Sequence, residues 1–155
     1  MKKWKREISI NAPIEFVWPF IYGDLEKKKL IFPKVIAEEI IVHKEEVVGS
    51  LINQTYQNGS YIEQYELTIL KYTNESNYKA LQESFLLNDR FRMTTEYEIE
   101  SQSNMTTKFI YTSINKPKNI LLNIFQLFGN DEVIMRFMNR TKETIETAYE
   151  EEQNR

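Results

Sequence analysis

Between Pro33 and about Lys116 the sequence keeps a period of two, and few folds can absorb so long a run. The segment is rich in Val, Ile, Thr, Tyr and Phe. Turn-forming clusters cut it at residues 43–46, 57–59, 73–77, 88–89 and 101–104. β-Branched and aromatic runs bounded by such clusters form strands, and short connections between them allow only antiparallel neighbours. The pattern therefore predicts six consecutive antiparallel strands. FRMTTEYEI shows the alternation most clearly. Phe91, Met93, Thr95, Tyr97 and Ile99 share one face, and Arg92, Thr94, Glu96 and Glu98 share the other. The next strand sets Phe109 and Tyr111 opposite Lys108. The faces of the strands around residues 47–57 and 78–88 stay open. A sheet with one wet and one apolar face requires a cover.

The cover comes from the two ends of the chain. In ISINAPIEFVWPFI a strand over residues 3–10, with Trp4, Ile8 and Ile10 on one face, stops at Asn-Ala-Pro. Pro13 suits a first helical turn, with Asn11 as its expected cap. Ile14, Val17, Trp18 and Ile21 then recur at i, i+3, i+4 and i+7, the spacing of one apolar helical face. Pro19 predicts that this helix is short or kinked. Gly23 ends it, and Asp24 caps a second short helix running through Leu30. After Pro117 a short helix is expected over residues 119–128, stopping at Gly129. Asn130 or Asp131 then caps a longer helix to about Tyr149. Its stripe is Ile134, Phe137, Met138, Thr141, Ile145, Ala148 and Tyr149, with Arg136, Arg140, Lys142, Glu143 and Glu146 toward water. Glu150, Glu151 and Glu152 oppose the helix dipole, so fraying is expected there.

Composition removes several function classes. A formal charge of -3 supplies no broad positive field, so nucleic acid is not an expected partner. Cysteine is absent, which removes disulfides, thiolate metal sites and a cysteine nucleophile. The basic start MKKWKREISI is interrupted by charge before any apolar run of signal-peptide length. NILLNIFQLF, the longest apolar region, is too short to span a bilayer and contains Asn and Gln. The expectation is one cytoplasmic domain over residues 1–155. The single histidine, His43, lies beside KEE in a turn and has no Ser or Cys partner in a recognisable motif. It reads as exposed and inert. No metal ligands occur at a usual spacing and no glycine-rich phosphate loop is present, so neither metal nor cofactor is expected. EKKKLIF, residues 26–32, reads as a solvated helix face rather than a contact for anionic lipid.

A strand, two short helices, six strands and a long C-terminal helix resemble the START-like superfamily, also called Bet v 1-like, SRPBCC or polyketide cyclase/dehydrase. The most specific piece is Ile10-Asn-Ala-Pro13-Ile-Glu-Phe-Val17-Trp18. It is similar to the family's opening, in which a strand runs into an Ala-Pro followed by Val-Trp. The resemblance implies an α+β helix-grip fold: a seven-stranded curved antiparallel sheet wrapped around the C-terminal helix, with a cavity between them. It also implies a small hydrophobic molecule as partner. Relatives bind lipids, hormones or polyketides, some cyclise polyketides, and one branch activates the Hsp90 ATPase. The opening motif is structural in these proteins and transfers no catalytic residue. Trp18 is therefore read as core. The chain is poor in the glycines that often follow the second helix region in relatives.

Within such a fold the sequence nominates Glu63, Tyr65, Met93, Tyr97, Phe109, Tyr111 and Phe137 as cavity residues. Alternation in YIEQYELTI puts Tyr61, Glu63, Tyr65, Leu67 and Ile69 on the more apolar face. Glu63 would then enter the cavity, where desolvation raises a carboxyl pKa and lets it orient a ligand or move a proton. The opposite reading leaves Glu63 in water at the sheet edge. Three functions follow: binding of an apolar or aromatic ligand, a cyclase-type enzyme, and an interaction module like the Hsp90 activators. The oligomeric state stays open.

Overall fold

The computed structural model describes residues 2–87, 91–117 and 131–155. The elements run β1 (Lys2–Ile10), α1 (Ile14–Ile21), α2 (Leu25–Ile31), β2 (Val35–Val42), β3 (Leu51–Asn58), β4 (Tyr61–Asn74), β5 (Tyr78–Leu87), β6 (Phe91–Ser103), β7 (Thr106–Pro117) and α3 (Asp131–Gln153). The seven strands form one antiparallel sheet in the order β1-β7-β6-β5-β4-β3-β2. This is the helix-grip architecture that the family resemblance implies. The helix expected over 119–128 and the turn at 88–89 lie outside the described residues.

Each hairpin follows from local chemistry. Asn58 and Tyr61 pair across a two-residue turn whose first residue, Gly59, has a φ of +63°. That sign is cheap only for glycine, which is why Gly59 opens the Gly-Ser turn of this hairpin. Pairing register shifts once between Ile69 and Lys71, where β4 runs against β5, and twice where β2 runs against β3. Such bulges bend a strand and strengthen its twist, so the sheet curls around what it covers. On β6, Met93, Thr95, Tyr97 and Ile99 are buried, while Arg92 is exposed and Thr94, Glu96 and Glu98 are half-buried.

The helices fill the concave face. Ile14, Val17, Trp18 and Ile21 are all buried, joined by Phe20. Trp18 is core, as its helical spacing implies. Pro19 lies inside α1, which closes after eight residues. Asn11 does not cap α1. Pro13 occupies the cap position, its carbonyl accepting from Phe16 N–H at 3.0 Å and Val17 N–H at 3.1 Å, with no side-chain cap. The Asn11 N–H instead donates to Glu146 Oε2 on α3 at 2.7 Å. Asp24 caps α2 as expected, accepting from Lys27 N–H at 3.1 Å.

α3 is fastened at both ends. Arg6 on β1 pairs with Asp131 at 2.5 Å, and Lys142 Nζ donates to Ser9 O at 2.7 Å. Lys142 and Glu146 are therefore clamps onto β1, not the purely solvated positions the stripe suggests. The helix also continues past Tyr149 to Gln153. Repulsion between a carboxylate and a helix C-terminus costs only about 0.3–1 kcal/mol at an exposed site, and Glu is a good helix former.

Ile134, Met138, Thr141 and Ile145 form the buried stripe. Thr141 Oγ1 is, among the described residues, the one buried side-chain polar atom without a hydrogen-bond partner. Valine keeps the shape and removes the unmet hydroxyl. Thr141→Val is expected to stabilise the protein by about 1 kcal/mol, read as a higher urea midpoint at unchanged m.

Candidate functional site

The α3 stripe is not uniformly buried. Ile134, Met138, Thr141 and Ile145 are sealed against the core, but Phe137 beside them is only half-buried. There the curved sheet and α3 enclose a pocket of about 340 Å³. Its lining comes from α2 and the segment after it, from the strands β2 to β7, and from the first turns of α3.

Aromatic rings form the walls. Phe32, just past α2, stacks on Phe137 with centroids 5.1 Å apart and meets Tyr97 edge-on at 5.8 Å. Tyr111 lies 5.4 Å from Tyr97 and 5.3 Å from Phe137. Tyr65 stacks on Phe85 at 4.9 Å across β4 and β5. These contacts leave ring faces and edges toward the space, the surface that an apolar or aromatic molecule requires.

The buried end is polar. Lys28 of α2 is only 7% exposed, and its Nζ sits 3.0 Å from Glu38 Oε2 of β2. The same oxygen accepts from Gln54 Nε2 of β3 at 2.6 Å, and Gln54 Oε1 accepts from the Tyr65 hydroxyl at 2.5 Å. Glu83 of β5 completes the group at 6% exposure. Burial pushes its carboxyl above the ordinary range, Lys28 opposes that shift, and Glu38 adds to it. Burial alone would lower the Lys28 ammonium, but Glu83 and Glu38 outweigh it and leave the pKa raised. The tyrosines are held neutral. Burial raises Tyr65 and Tyr97, and raises Tyr111 to about 12 against a hydrogen bond with Ser113. At neutral pH these phenols are donors rather than bases.

Of the residues nominated from sequence, Tyr65, Met93, Tyr97, Tyr111 and Phe137 converge on this pocket. Phe109 does not line it. At 0% exposure it lies behind Phe137, edge-on at 6.4 Å, as part of the core. Glu63 does not line it either. β4 leaves the enclosed region before its first residues, so Tyr61 is 49% exposed and donates to Glu63 Oε2 at 2.7 Å. Glu63 borders a separate, polar depression with Asn53, Glu66 and Arg92.

Sequence reasoning missed the polar end. EKKKLIF is not a solvated face: Lys28 and Ile31 are buried and Phe32 is a pocket wall. Lys28 stands three residues before Ile31, the spacing of one helical face, and that signal was available. Glu83 stands between Leu81 and Phe85 at alternate positions, an acid on an otherwise apolar face. Arg136 and Arg140 flank Phe137 and are exposed at the pocket rim.

The architecture is that of the START-like, Bet v 1-like proteins. Solved structures with this fold include the di-domain ARO/CYC BexL from the BE-7585A biosynthetic pathway, at TM-score 0.72 and 11% identity. The match covers 94% of this chain and 47% of BexL, so the chain spans about half of that protein's length. The major latex-like protein 151 of Panax ginseng matches at TM-score 0.66 and 11% identity, over 95% of this chain and 96% of the other. Norcoclaurine synthase of Thalictrum flavum, in complex with dopamine and hydroxybenzaldehyde, matches at 0.62 and 14% identity, over 93% and 86%. At these identities the likeness is one of fold. No protein-family model and no curated protein matches the chain. Among the described residues no helix is long and apolar enough to cross a membrane.

Proposed function

We propose that the protein binds a small apolar or aromatic molecule in the pocket between the sheet and α3. The observation that carries this reading is the ring of aromatic walls around about 340 Å³, a volume within the range of small-molecule sites. A core built only for stability closes such space, because interiors pack to crystal density. Norcoclaurine synthase, on the same fold, holds dopamine and hydroxybenzaldehyde, which are aromatic molecules of this kind. Titrating the folded protein with an apolar fluorescent dye is expected to saturate near one site per chain. Fatty or aromatic compounds should compete with the dye. A linear, unsaturable signal would remove the reading.

Glu83 favours a second reading, catalysis of the cyclase type. A carboxyl held above its ordinary range beside an ammonium group is suited to pass a proton to or from a ligand carbonyl. BexL carries an ARO/CYC description. Turnover of a poly-β-ketone that Glu83→Gln abolishes while dye affinity persists would favour the enzyme. Dye binding with no turnover of such compounds would favour the carrier.

A further inference from the structure

Several polar side chains at the buried end of the pocket have partners there. Tyr65 gives its proton to Gln54, and Gln54 and Lys28 both give theirs to Glu38. Glu83 differs. Among the described residues no side chain hydrogen-bonds its carboxyl, which feels the charges of Lys28 and Glu38 and lines the pocket. Unlike Thr141 Oγ1, the Glu83 oxygens are not sealed in the core but open onto the pocket, where a ligand group can meet a carboxyl that is costly to leave unpaired. The exposed end has the opposite chemistry. Lys34, Arg136 and Arg140 surround the mouth, and among the described residues no acid of the lining stands with them. Among the described residues Arg136 pairs with Glu132 at 2.9 Å, an exposed ion pair of little strength. Arg140 makes one long bond, 3.3 Å, to Ile31 O. Both guanidinium forks are available to an incoming anion.

We propose that the ligand is a hydroxylated aromatic acid, its hydroxyl bonded to Glu83 at the buried end and its acidic group held by Arg136 and Arg140 at the mouth. The proposal rests on the ligand-binding reading above. A hydroxyl suits Glu83 in either protonation state, because it donates to a carboxylate and accepts from a carboxylic acid. Burial favours the protonated form. A ligand carboxylate cannot take that end, where Glu38 and Glu83 already share one ammonium. A second ammonium there would meet Lys28. The aromatic walls between the two ends hold the body of the molecule.

The test compares three probes on the wild-type chain by calorimetry and by dye displacement. They are a biphenyl with hydroxyl and carboxylate at its two para ends, biphenylcarboxylate, and para-phenylphenol. The hydroxy acid is expected to bind about tenfold tighter than either single-group analogue, one charge-assisted hydrogen bond each. Glu83→Leu should bring the hydroxy acid level with biphenylcarboxylate. Replacing Arg136 and Arg140 together by Ala should bring it level with phenylphenol. Three wild-type affinities within about twofold of one another overturn the proposal and leave apolar binding standing. The same holds if the dye binds and none of the probes displaces it. If neither dye nor probe binds, both readings fall. The wild-type series decides the matter even if a variant does not fold.

Discussion

Lys28→Met is expected to destabilise the protein by about 3 kcal/mol at neutral pH, the lower part of the range for breaking a buried ion pair. The cause is what remains after the ammonium is removed. Glu38 and Glu83 are left facing each other in a poorly solvated space, and Lys28 is the cation that now serves both. Methionine fills the volume, so packing loss is small. The pH dependence follows from the direction of the Glu83 shift. A carboxyl whose folded pKa lies above the unfolded value of 4.5 binds more protons folded than unfolded within that window. Stability then falls as pH rises through the window and recovers as pH falls. The deficit of Lys28→Met should therefore shrink on acidification and be largest at neutral pH and above. In the wild type, the raised pKa of Lys28 adds stability that is complete below the unfolded value of 10.5 and is lost as pH climbs through the folded value. Urea melts at two pH values measure the effect. Adding Glu83→Gln to Lys28→Met should restore most of the loss, because only one buried carboxylate then lacks a cation. A single variant that melts like the wild type at neutral pH would mean that Lys28 is solvated.

The same residues show what a linear sequence can and cannot reveal. Six strands were legible because a period of two, kept through five turn clusters, has few other folded solutions. α1 was legible because Ile14, Val17, Trp18 and Ile21 leave no other face to bury. The inward face of β6 was legible, and with it Met93, Tyr97 and, on β7, Tyr111. The polar end was not. Lys28 and Glu38 are joined across a helix, a turn and a strand, so no local pattern records their pairing. β5 buries Ala80 and Leu81, and both Glu83 and Ser84, which blurs the alternation that assigns faces. Whether Glu63 enters the pocket was not legible either, for a related reason. Its face was read rightly, since Leu67 and Ile69 are buried, but a face says nothing about where along a strand the cover ends. Arg136 and Arg140 read as solvent positions because their exposure is real. What the helical wheel cannot show is that a pocket opens beside them.

Phe109→Ala and Phe137→Ala are expected to separate by about 2 kcal/mol or more, although the two rings touch and face the same sheet. Phe109 is fully buried, meets Phe137 edge-on, and belongs to the core cluster that includes Ile10 and the α1 face. Its truncation loses the transfer energy of the ring and leaves a cavity that β7, locked between β1 and β6, cannot collapse to fill. The cost should be about 3–5 kcal/mol. Phe137 is half-buried and has the pocket on one side, so part of its surface already lacks partners. Its truncation merely enlarges an existing space, forfeiting the contacts with Phe32 and Tyr111, and should cost about 1–2 kcal/mol. Ligand binding should show the reverse order. Phe137→Ala removes a wall and is expected to admit a bulkier probe, with affinity for small dyes reduced. Phe109→Ala, measured where it remains folded, should leave dye affinity close to that of the wild type. Urea melts and dye titrations on the same two variants give both readouts. Equal and large stability losses, with unchanged probe selectivity for Phe137→Ala, would place α3 on a solid core at this point and remove the pocket as the binding site.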